Sequence, residues 1–247
     1  MFNENLQQTF EIFTWMHFIP VLLIFTICAL IIKYQEKLRE KRYFNFLRYG
    51  LALLIILQEV SLQIYRLYMG IWDVSISLPL QLCSVGVIMT AILLVIKNEK
   101  LFQWFVFILF IGASLALITP GITNGYGFPH YRFFQFFVSH GLIVINLTVL
   151  LFVFEYQKNI LYKHLLYNFI ALLGLVIIML IVNVLTGGNY MYIMAKPPAG
   201  TLFDQFAPHP YYILQIFFFG IPIFFHLYYL PFFIRNKRLA RRNVQVT

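Results

Sequence analysis

Residues 15–48 read WMHFIPVLLIFTICALIIKYQEKLREKRYFNFLR, an apolar run that ends in a segment rich in lysine and arginine. The apolar part, residues 15–32, is long enough to cross about 30 Å of hydrocarbon as a helix. Similar apolar runs recur along the rest of the chain. The sequence predicts seven membrane-spanning helices, at residues 15–32, 49–71, 78–96, 101–118, 132–154, 165–185 and 211–233.

The basic residues decide how these helices are oriented. Fifteen of the eighteen Lys and Arg residues fall in the first, third and fifth connections and in the C-terminal tail. They are Lys33, Lys37, Arg39, Lys41, Arg42, Arg48, Lys97, Lys100, Lys158, Lys163, Arg235, Lys237, Arg238, Arg241 and Arg242. Short basic loops remain on the cytoplasmic side of a membrane. The sequence therefore predicts one integral membrane domain over residues 1–247, an all-α bundle of seven helices with its N-terminus outside and its C-terminus in the cytoplasm.

Composition narrows the possible partners. Apolar residues make up 61% of the chain and charged residues 11%, which lies outside the balance of soluble proteins. A net charge of +9 would suggest nucleic acid as a partner of a soluble protein. Here the positive-inside pattern and the anionic lipid of the inner leaflet explain it. We expect a multi-pass protein of the cell membrane with phospholipids, and not nucleic acid, as partners.

Cysteine and histidine positions argue against a disulfide and a metal site. Cys28 lies about 13 residues into the first predicted helix and Cys83 about six into the third, both counted from outside, so their depths differ by ~10 Å. That separation exceeds the reach of a disulfide. The six histidines form no pair at helical i, i+3 or i, i+4 spacing. We expect two free thiols, no bound metal and no cofactor.

Polar side chains inside the predicted helices are the candidates for function, because ionisable groups in a bilayer are costly unless they are paired or hydrated. They form a stripe on the second helix and another on the fifth, and smaller polar residues lie on the third. The set is Glu59, Gln63, Arg66, Ser77, Gln81, Ser84, Arg132, Gln135, Ser139, His140 and Asn146. One interpretation is structural, with Glu59 paired to Arg66 or Arg132. The other is a polar cavity between these three helices that opens to the outside.

Several separated motifs resemble a known family. They are Leu78-Pro-Leu-Gln-Leu-Cys-Ser84, Ile118-Thr-Pro-Gly121, Tyr126-Gly-Phe-Pro-His-Tyr-Arg-Phe-Phe134, Ser139-His-Gly141, Gly188-Asn-Tyr-Met-Tyr192, Lys196-Pro197 and His209-Pro-Tyr-Tyr-Ile-Leu214. Together they are similar to the YwaF family of bacterial integral membrane proteins, over roughly residues 50–233. That family is similar in turn to the eukaryotic transmembrane protein 164 family. The resemblance implies acyl transfer between phospholipids, with a cysteine in a membrane helix as the nucleophile.

Carried over by position, the resemblance implies that Cys83 is the nucleophile and His140 the base. Such a thiol, at the depth of the lipid ester bonds, would hold the acyl group as a thioester while histidine moves the proton. Arg66 or Gln81 would stabilise the oxyanion. His130 and Arg132 would hold the phosphate of the headgroup.

The chain differs from the family pattern at two positions. The family often has His and Asp where this chain has Gln81 and Ser84. We therefore expect neither an acid nor a base at these positions.

A membrane transporter or a receptor-like protein that binds a lipid or small molecule is the alternative hypothesis. Buried Glu59 and Arg66 would then form part of a proton- or ion-coupled path. No inverted repeat is visible, and the seventh helix has no lysine for a retinal Schiff base. The two hypotheses predict different losses: an acyltransferase fails with Cys83→Ala, and a transporter fails with Glu59→Gln or Arg66→Gln.

Overall fold

The computed structural model describes residues 9–122, 126–197 and 202–244, and in these residues it contains helices and loops but no strand. Numbered in chain order, the α-helices of this part are α1 Trp15–Lys33, α2 Gln35–Leu38, α3 Lys41–Tyr68, α4 Leu82–Ile96, α5 Glu99–Ile118, α6 Tyr131–Thr148, α7 Lys163–Thr186, α8 Tyr211–Gln215 and α9 Ile221–Val244. Single π-helical turns extend α6 and join α8 to α9, at Val149–Val153 and Ile216–Gly220. The all-α prediction is confirmed.

Six helical stretches of the described chain are long and apolar enough to cross a membrane. They are Trp15–Lys33, Lys41–Tyr68, Glu99–Ile118, Tyr131–Val153, Lys163–Thr186 and Tyr211–Arg238. Helix α4 is also apolar but has 15 residues, and at 1.5 Å per residue it measures about 22 Å. The molecule is therefore a multi-pass helical membrane protein with six spans of full length and one shorter apolar helix.

The shorter helix begins later than the sequence predicts. The predicted span starts at residue 78, whereas α4 starts at Leu82. The preceding residues form turns, in which the amide of Ser77 donates to the carbonyl of Asp73 at 2.8 Å. Pro79 has no amide hydrogen to donate to a helix. The first four residues of the predicted span therefore cap the bundle and do not cross it.

The second span is longer than predicted at its start and shorter at its end. Helix α3 begins at Lys41, not at residue 49, and ends at Tyr68, not at residue 71. Its first two turns are too polar to register as a membrane segment, although they are helical. The helix ends just before Gly70, whose φ of +67° lies in the left-handed region that glycine adopts without strain.

Helix α6 is the centre of the bundle. It packs against α1, α3, α4 and α5. In its apolar stretch 78% of the residues are buried, compared with 17% in α7, which lies at the edge and presents its apolar side chains outward. Because a membrane protein exposes apolar residues to lipid, polar residues on α6 face protein and are the better candidates for a site.

The basic residues of α2 and α3 secure helix ends on one side of the bundle, which we call the basic end. Arg48 donates to the carbonyl of Val95 at 3.2 Å, at the C-terminus of α4. Arg39 donates to the carbonyl of Phe152 at 2.7 Å, at the end of α6. Carbonyl groups in the last turn of a helix have no partner within the helix, so these arginines satisfy them.

The opposite side of the bundle, which we call the loop end, is held by contacts of the same kind. His17 donates from Nε2 to the carbonyl of Leu117 at 2.7 Å, joining the start of α1 to the end of α5. Arg66 donates to the carbonyl of Ser77 at 2.9 Å, joining the end of α3 to the turns before α4. Spans that follow one another in the chain therefore run in opposite directions.

Helices α4 and α6 run in the same direction and in close contact. A Cβ on Gly86 would lie 3.3 Å from Cδ1 of Ile143. One turn further toward the basic end, Asn146 donates to Oγ1 of Thr90 at 3.4 Å. These two pairs fix the register between the helices, and they show that a small residue on α4 permits the close approach.

Gly141 sets the distance between α6 and α1. A Cβ at this position would lie 2.7 Å from Cδ1 and 2.8 Å from Cγ1 of Ile24. We therefore expect Gly141→Ala to cost about 1–3 kcal/mol, the usual cost of overpacking a core. The measurement is the Tm of the purified protein in detergent.

A double-mutant cycle separates this contact from glycine flexibility. Adding Ile24→Ala removes both clashing atoms, so the double variant should lose less stability than the sum of the two single variants. Gly174→Ala is the matched control, because no atom lies within 4 Å of a Cβ there. Equal stability of Gly141→Ala and the wild type would refute the close approach.

Candidate functional site

Two arginines meet at the loop end, one from the last turn of α3 and one from the first turn of α6. Arg66 donates to the carbonyl of Ser77, and Arg132 donates to Oε1 of Gln135. The two guanidinium groups are close enough for their charges to interact. In residues 9–122, 126–197 and 202–244, neither has a carboxylate within ion-pair distance. The end of the bundle therefore has a concentration of positive charge without a direct counter-ion.

Aromatic rings surround the arginine pair. The ring of Tyr65 stacks on Tyr131 at 4.6 Å between centroids, and Tyr126 lies 4.7 Å from His130. The hydroxyl groups of Tyr131 and Ser61 are hydrogen-bonded at 2.8 Å. These contacts join α3 to the start of α6 and bring phenol groups, which both donate and accept, close to the charges.

His130 caps the N-terminus of α6. Its Nδ1 accepts from the amide of Arg132 at 3.1 Å. Burial lowers the pKa of His130, and the positive charge of Arg132 lowers it further. The ring is thus held neutral, and because Nδ1 accepts, Nε2 carries the hydrogen and is a donor.

Glu59 does not form the ion pair that the structural interpretation required. Its carboxylate accepts from Nε2 of Gln63 at 3.0 Å, and Oε1 of Gln63 accepts from Trp72 at 3.1 Å. The charges of Glu59 and Arg66 attract each other from beyond ion-pair distance. Direct pairing of Glu59 with Arg66 or Arg132 is therefore wrong, and the acid is instead part of a hydrogen-bonded stripe on α3.

His140 is held in one orientation with one nitrogen free. Its Nδ1 lies 2.8 Å from the carbonyl of Phe136, one turn earlier in α6. A carbonyl only accepts, so Nδ1 carries the hydrogen, and in the neutral ring Nε2 is an acceptor. No hydrogen bond to Nε2 is found within the described chain. The ring of Phe136 packs on the histidine at 4.3 Å.

Cys83 lies at the same level of the bundle as His140. The parallel register of α4 and α6 pairs Gly86 with Ile143, and Cys83 and His140 each precede these residues by three positions. The thiol points toward the carbonyl of Gly112 on α5, with Sγ at 3.8 Å from the oxygen. In the described residues no hydrogen bond joins Cys83 to His140. The two side chains share a level and two adjacent helices, and each forms a hydrogen bond with a different carbonyl, that of Gly112 for Cys83 and that of Phe136 for His140.

The remaining predicted site residues lie at defined positions around the site. Gln81 accepts through Oε1 from the amide of Met191 at 2.8 Å, so it fastens a loop to the start of α4. Gln135 is buried beside Arg132, and Ser139 is buried on α6 next to His140. Cys28 and Cys83 are free thiols, as predicted.

The turn Tyr190–Tyr192 is a part of the site that the sequence analysis did not assign. Asn183 fixes it by bonding both the amide and the carbonyl of Tyr190, at 2.7 Å and 3.0 Å. Met191 and Tyr192 have φ values of +58° and +53°, which are strained for residues with a side chain. Burial raises the pKa of Tyr192, and the proximity of Cys83 raises it further.

A small cleft of about 50 Å³ opens beside Arg132. It is lined by Gly121, Ile122, Tyr126, Arg132 and Phe136. Phe136 also contacts His140, because its carbonyl accepts from Nδ1 and its ring packs on the imidazole. The cleft therefore lies beside Arg132 and borders the residue that orients His140.

Within the part of the chain that the structure describes, no group of three or more His, Cys, Asp or Glu side chains is placed to hold a metal ion.

These observations define a class: a multi-pass helical membrane protein with a polar site at one end of its central helix. A family model narrows this to one family. The model of the TMEM164 family matches residues 10–228, so the chain belongs to the TMEM164 family. The resemblance to the transmembrane protein 164 family is confirmed, and the more specific similarity to YwaF proteins stays a prediction. Searches of curated proteins and of solved structures give no match.

Proposed function

We propose that this protein is a membrane phospholipid acyltransferase in which Cys83 holds the acyl group as a thioester and His140 transfers the proton. The observation that carries the proposal is the register of α4 and α6, with thiol and imidazole at one level and Nε2 of the histidine free. Nucleophilic catalysis by a thiol needs such a base nearby. The arginine pair and the cleft support a substrate that enters from the loop end.

In the proposed reaction, Nε2 of His140 takes the proton of the Cys83 thiol as sulfur attacks the carbonyl carbon of a lipid ester. The ester C–O bond breaks, and the proton passes to the oxygen of the departing lysolipid. A hydroxyl group of a second lysolipid then attacks the thioester, gives its proton to His140, and the thiol is restored. Gln81 can donate from Nε2 to the oxyanion, because its Oε1 is the atom that holds Met191.

The thiol must rotate before it can react. Its Sγ is directed toward Gly112, so a change of the Cys83 χ1 rotamer is the first step of the proposal. Exposed and half-buried side chains change rotamer on a picosecond to nanosecond timescale, which is fast compared with turnover.

The proposal also specifies how the protein is oriented in the membrane. The loops and tail at the basic end would face the cytoplasm of a cell membrane, which leaves both termini as predicted, the N-terminus outside and the C-terminus inside. The site would then act on lipids of the outer leaflet. We count α4 as the short seventh span of this arrangement.

Intact mass spectrometry of protein purified with its native lipids tests the thioester. We expect a fraction of the wild type to carry an acyl adduct that hydroxylamine removes. The adduct should be absent from Cys83→Ala and unchanged in Cys28→Ala, which removes the other thiol of the chain. An adduct that persists in Cys83→Ala, or no adduct and no acyl exchange with added phospholipids, would contradict the proposal.

Proton-coupled transport is the second candidate, and buried Glu59 favours it. This acid has no ion pair in the described chain, and both amide atoms of neighbouring Gln58 are buried without a protein partner there. Buried polar atoms of this kind often bind internal water. Loss of transport or ligand binding in Glu59→Gln, with full function in Cys83→Ala, would favour this candidate over acyl transfer.

A further inference from the structure

We propose that Arg66 and Arg132 together bind one phosphate group, the phosphate of a glycerophospholipid headgroup. That the phosphate belongs to a lipid rests on the proposed function, whereas binding of a phosphate group does not depend on it. The positive charges, their place at the loop end and the cleft beside Arg132 are properties of the structure whether or not Cys83 reacts.

The first argument is charge. Arg66 and Arg132 follow Tyr65 and Tyr131, whose rings stack at 4.6 Å between centroids and join the end of α3 to the start of α6, and both arginines are half-buried. Like charges on adjoining helix ends repel each other, and this costs free energy unless an anion lies between them. Glu59 attracts Arg66 only from beyond ion-pair distance. One distant carboxylate for two arginines leaves the site net positive. A bound anion would remove the repulsion.

The second argument is the number of donors that remain. A guanidinium has five N–H groups, and each arginine uses one nitrogen for a protein acceptor, Ser77 for Arg66 and Gln135 for Arg132. The remaining donors suit the tetrahedral oxygens of phosphate, which arginine binds through two parallel hydrogen bonds. Neutral His130 adds an Nε2–H donor at the N-terminus of α6, where the helix dipole also favours an anion.

The third argument is depth. Arg66 is two residues from the end of α3, and Arg132 is the second residue of α6. Trp15 and Trp72, both exposed, lie at the same end of the bundle, where tryptophan marks the membrane interface. The arginines therefore lie at the level of lipid phosphates. Cys83 lies one turn or more deeper, at the level where ester bonds follow the headgroup.

Calorimetric titration of the protein in an uncharged detergent tests the site with three probes. They are dihexanoylphosphatidylglycerol below its critical micelle concentration, dihexanoylglycerol, and inorganic phosphate. We expect the phospholipid to bind about tenfold or more tightly than dihexanoylglycerol, because only the former forms charge-assisted hydrogen bonds. Arg66→Gln and Arg132→Gln should each weaken phospholipid binding by a similar factor, and Arg66→Lys should weaken it less.

Two controls make the result specific. Arg42→Gln removes the same charge from an exposed position at the basic end and should leave the dissociation constant unchanged. Cys83→Ala should bind as wild type, so binding is measured independently of catalysis. The Tm of each variant shows that it is folded. The glutamine variants should also lose the rise in Tm that the phospholipid gives to the wild type.

Three outcomes would overturn the proposal. Equal affinity for the phospholipid and for dihexanoylglycerol would show that the phosphate does not contribute to binding. Unchanged affinity in both glutamine variants would show that Arg66 and Arg132 do not bind the phosphate. Inorganic phosphate that binds as tightly as the phospholipid would exclude the lipid as the source and assign the site to free phosphate.

Discussion

The His140→Gln variant is expected to transfer acyl groups about 10²–10⁴-fold more slowly than the wild type, the usual contribution of a general acid–base group. In the proposed reaction the imidazole takes a proton in each half and returns it in each half. Glutamine keeps an N–H donor that can reach the carbonyl of Phe136, so the helix and the local packing should survive. Only the unprotonated nitrogen is lost. The measurement is the exchange of a labelled acyl chain between phospholipid and lysolipid in proteoliposomes.

His226→Gln is the matched control. Nδ1 of His226 also donates to a carbonyl one turn earlier, Pro222, at 2.7 Å. Its Nε2, however, is already engaged by the hydroxyl of Tyr162 at 2.9 Å, on a different helix pair. Transfer should therefore be unaffected. Equal rates for His140→Gln and the wild type would remove His140 from the mechanism even if the Cys83 adduct were found.

Apolar length was sufficient to predict six membrane spans. Six of the seven predicted segments coincide with helices of full membrane length, because 18 or more apolar residues have few other stable arrangements. The predicted ends were less reliable. Hydropathy ignores helical residues that are polar, so it missed the first turns of α3, and it counted the apolar turn before Leu82 as helix.

The polar stripes were located correctly, but their partners were not predictable. Periodicity placed Glu59, Gln63 and Arg66 on one face of α3, and the structure connects the first two. Which helix faces that stripe depends on tertiary packing. Gln81 is an example: it lies two residues before Cys83, but its side chain accepts a hydrogen bond from the amide of Met191, which is 110 residues away in the chain. No local pattern contains that information.

For Cys83 and His140, the depth in the membrane was predictable from the sequence, but the direction of the side chains was not. Counting residues from helix ends gave each a depth in the outer half of the membrane, and the parallel register of α4 and α6 supports a shared level. The direction of the thiol was beyond such counting, since it depends on the rotamer and on the carbonyl of Gly112. The strained turn at Tyr192 had a weak signal, the motif Gly188-Asn-Tyr-Met-Tyr192, which by itself indicates no contact with Cys83.

Asn168→Asp is expected to cause the largest loss of stability, about 3–5 kcal/mol. Asn168 is completely buried in α7 and uses all sides of its amide. Its Oδ1 accepts from the amides of Phe107 and Ile108 at 2.9 and 3.3 Å, and its Nδ2 donates to the carbonyls of Gln103 and His164, both at 2.8 Å. An aspartate would turn a carboxylate oxygen toward two carbonyl oxygens and would bury a charge without a counter-ion. In the sequence, Asn168 is a single polar residue in an apolar segment, and no periodic pattern connects it to α5.

The measurement is the Tm in detergent, which should fall by roughly 10 °C for a loss of this size. Asn45→Asp is the matched control, since Asn45 uses only its Oδ1, as an acceptor from Arg48 at 3.1 Å, and a carboxylate can take over that role. Its Tm should be unchanged or slightly higher. Asn168 bonds the carbonyl of Gln103 and the amide of Phe107, which lie one turn apart in α5. Its side chain thus inserts between two backbone groups of α5 and links α7 to that helix. A Tm within 2 °C of the wild type for Asn168→Asp, a margin of about 1 kcal/mol, would mean that α5 and α7 are held together by apolar packing alone.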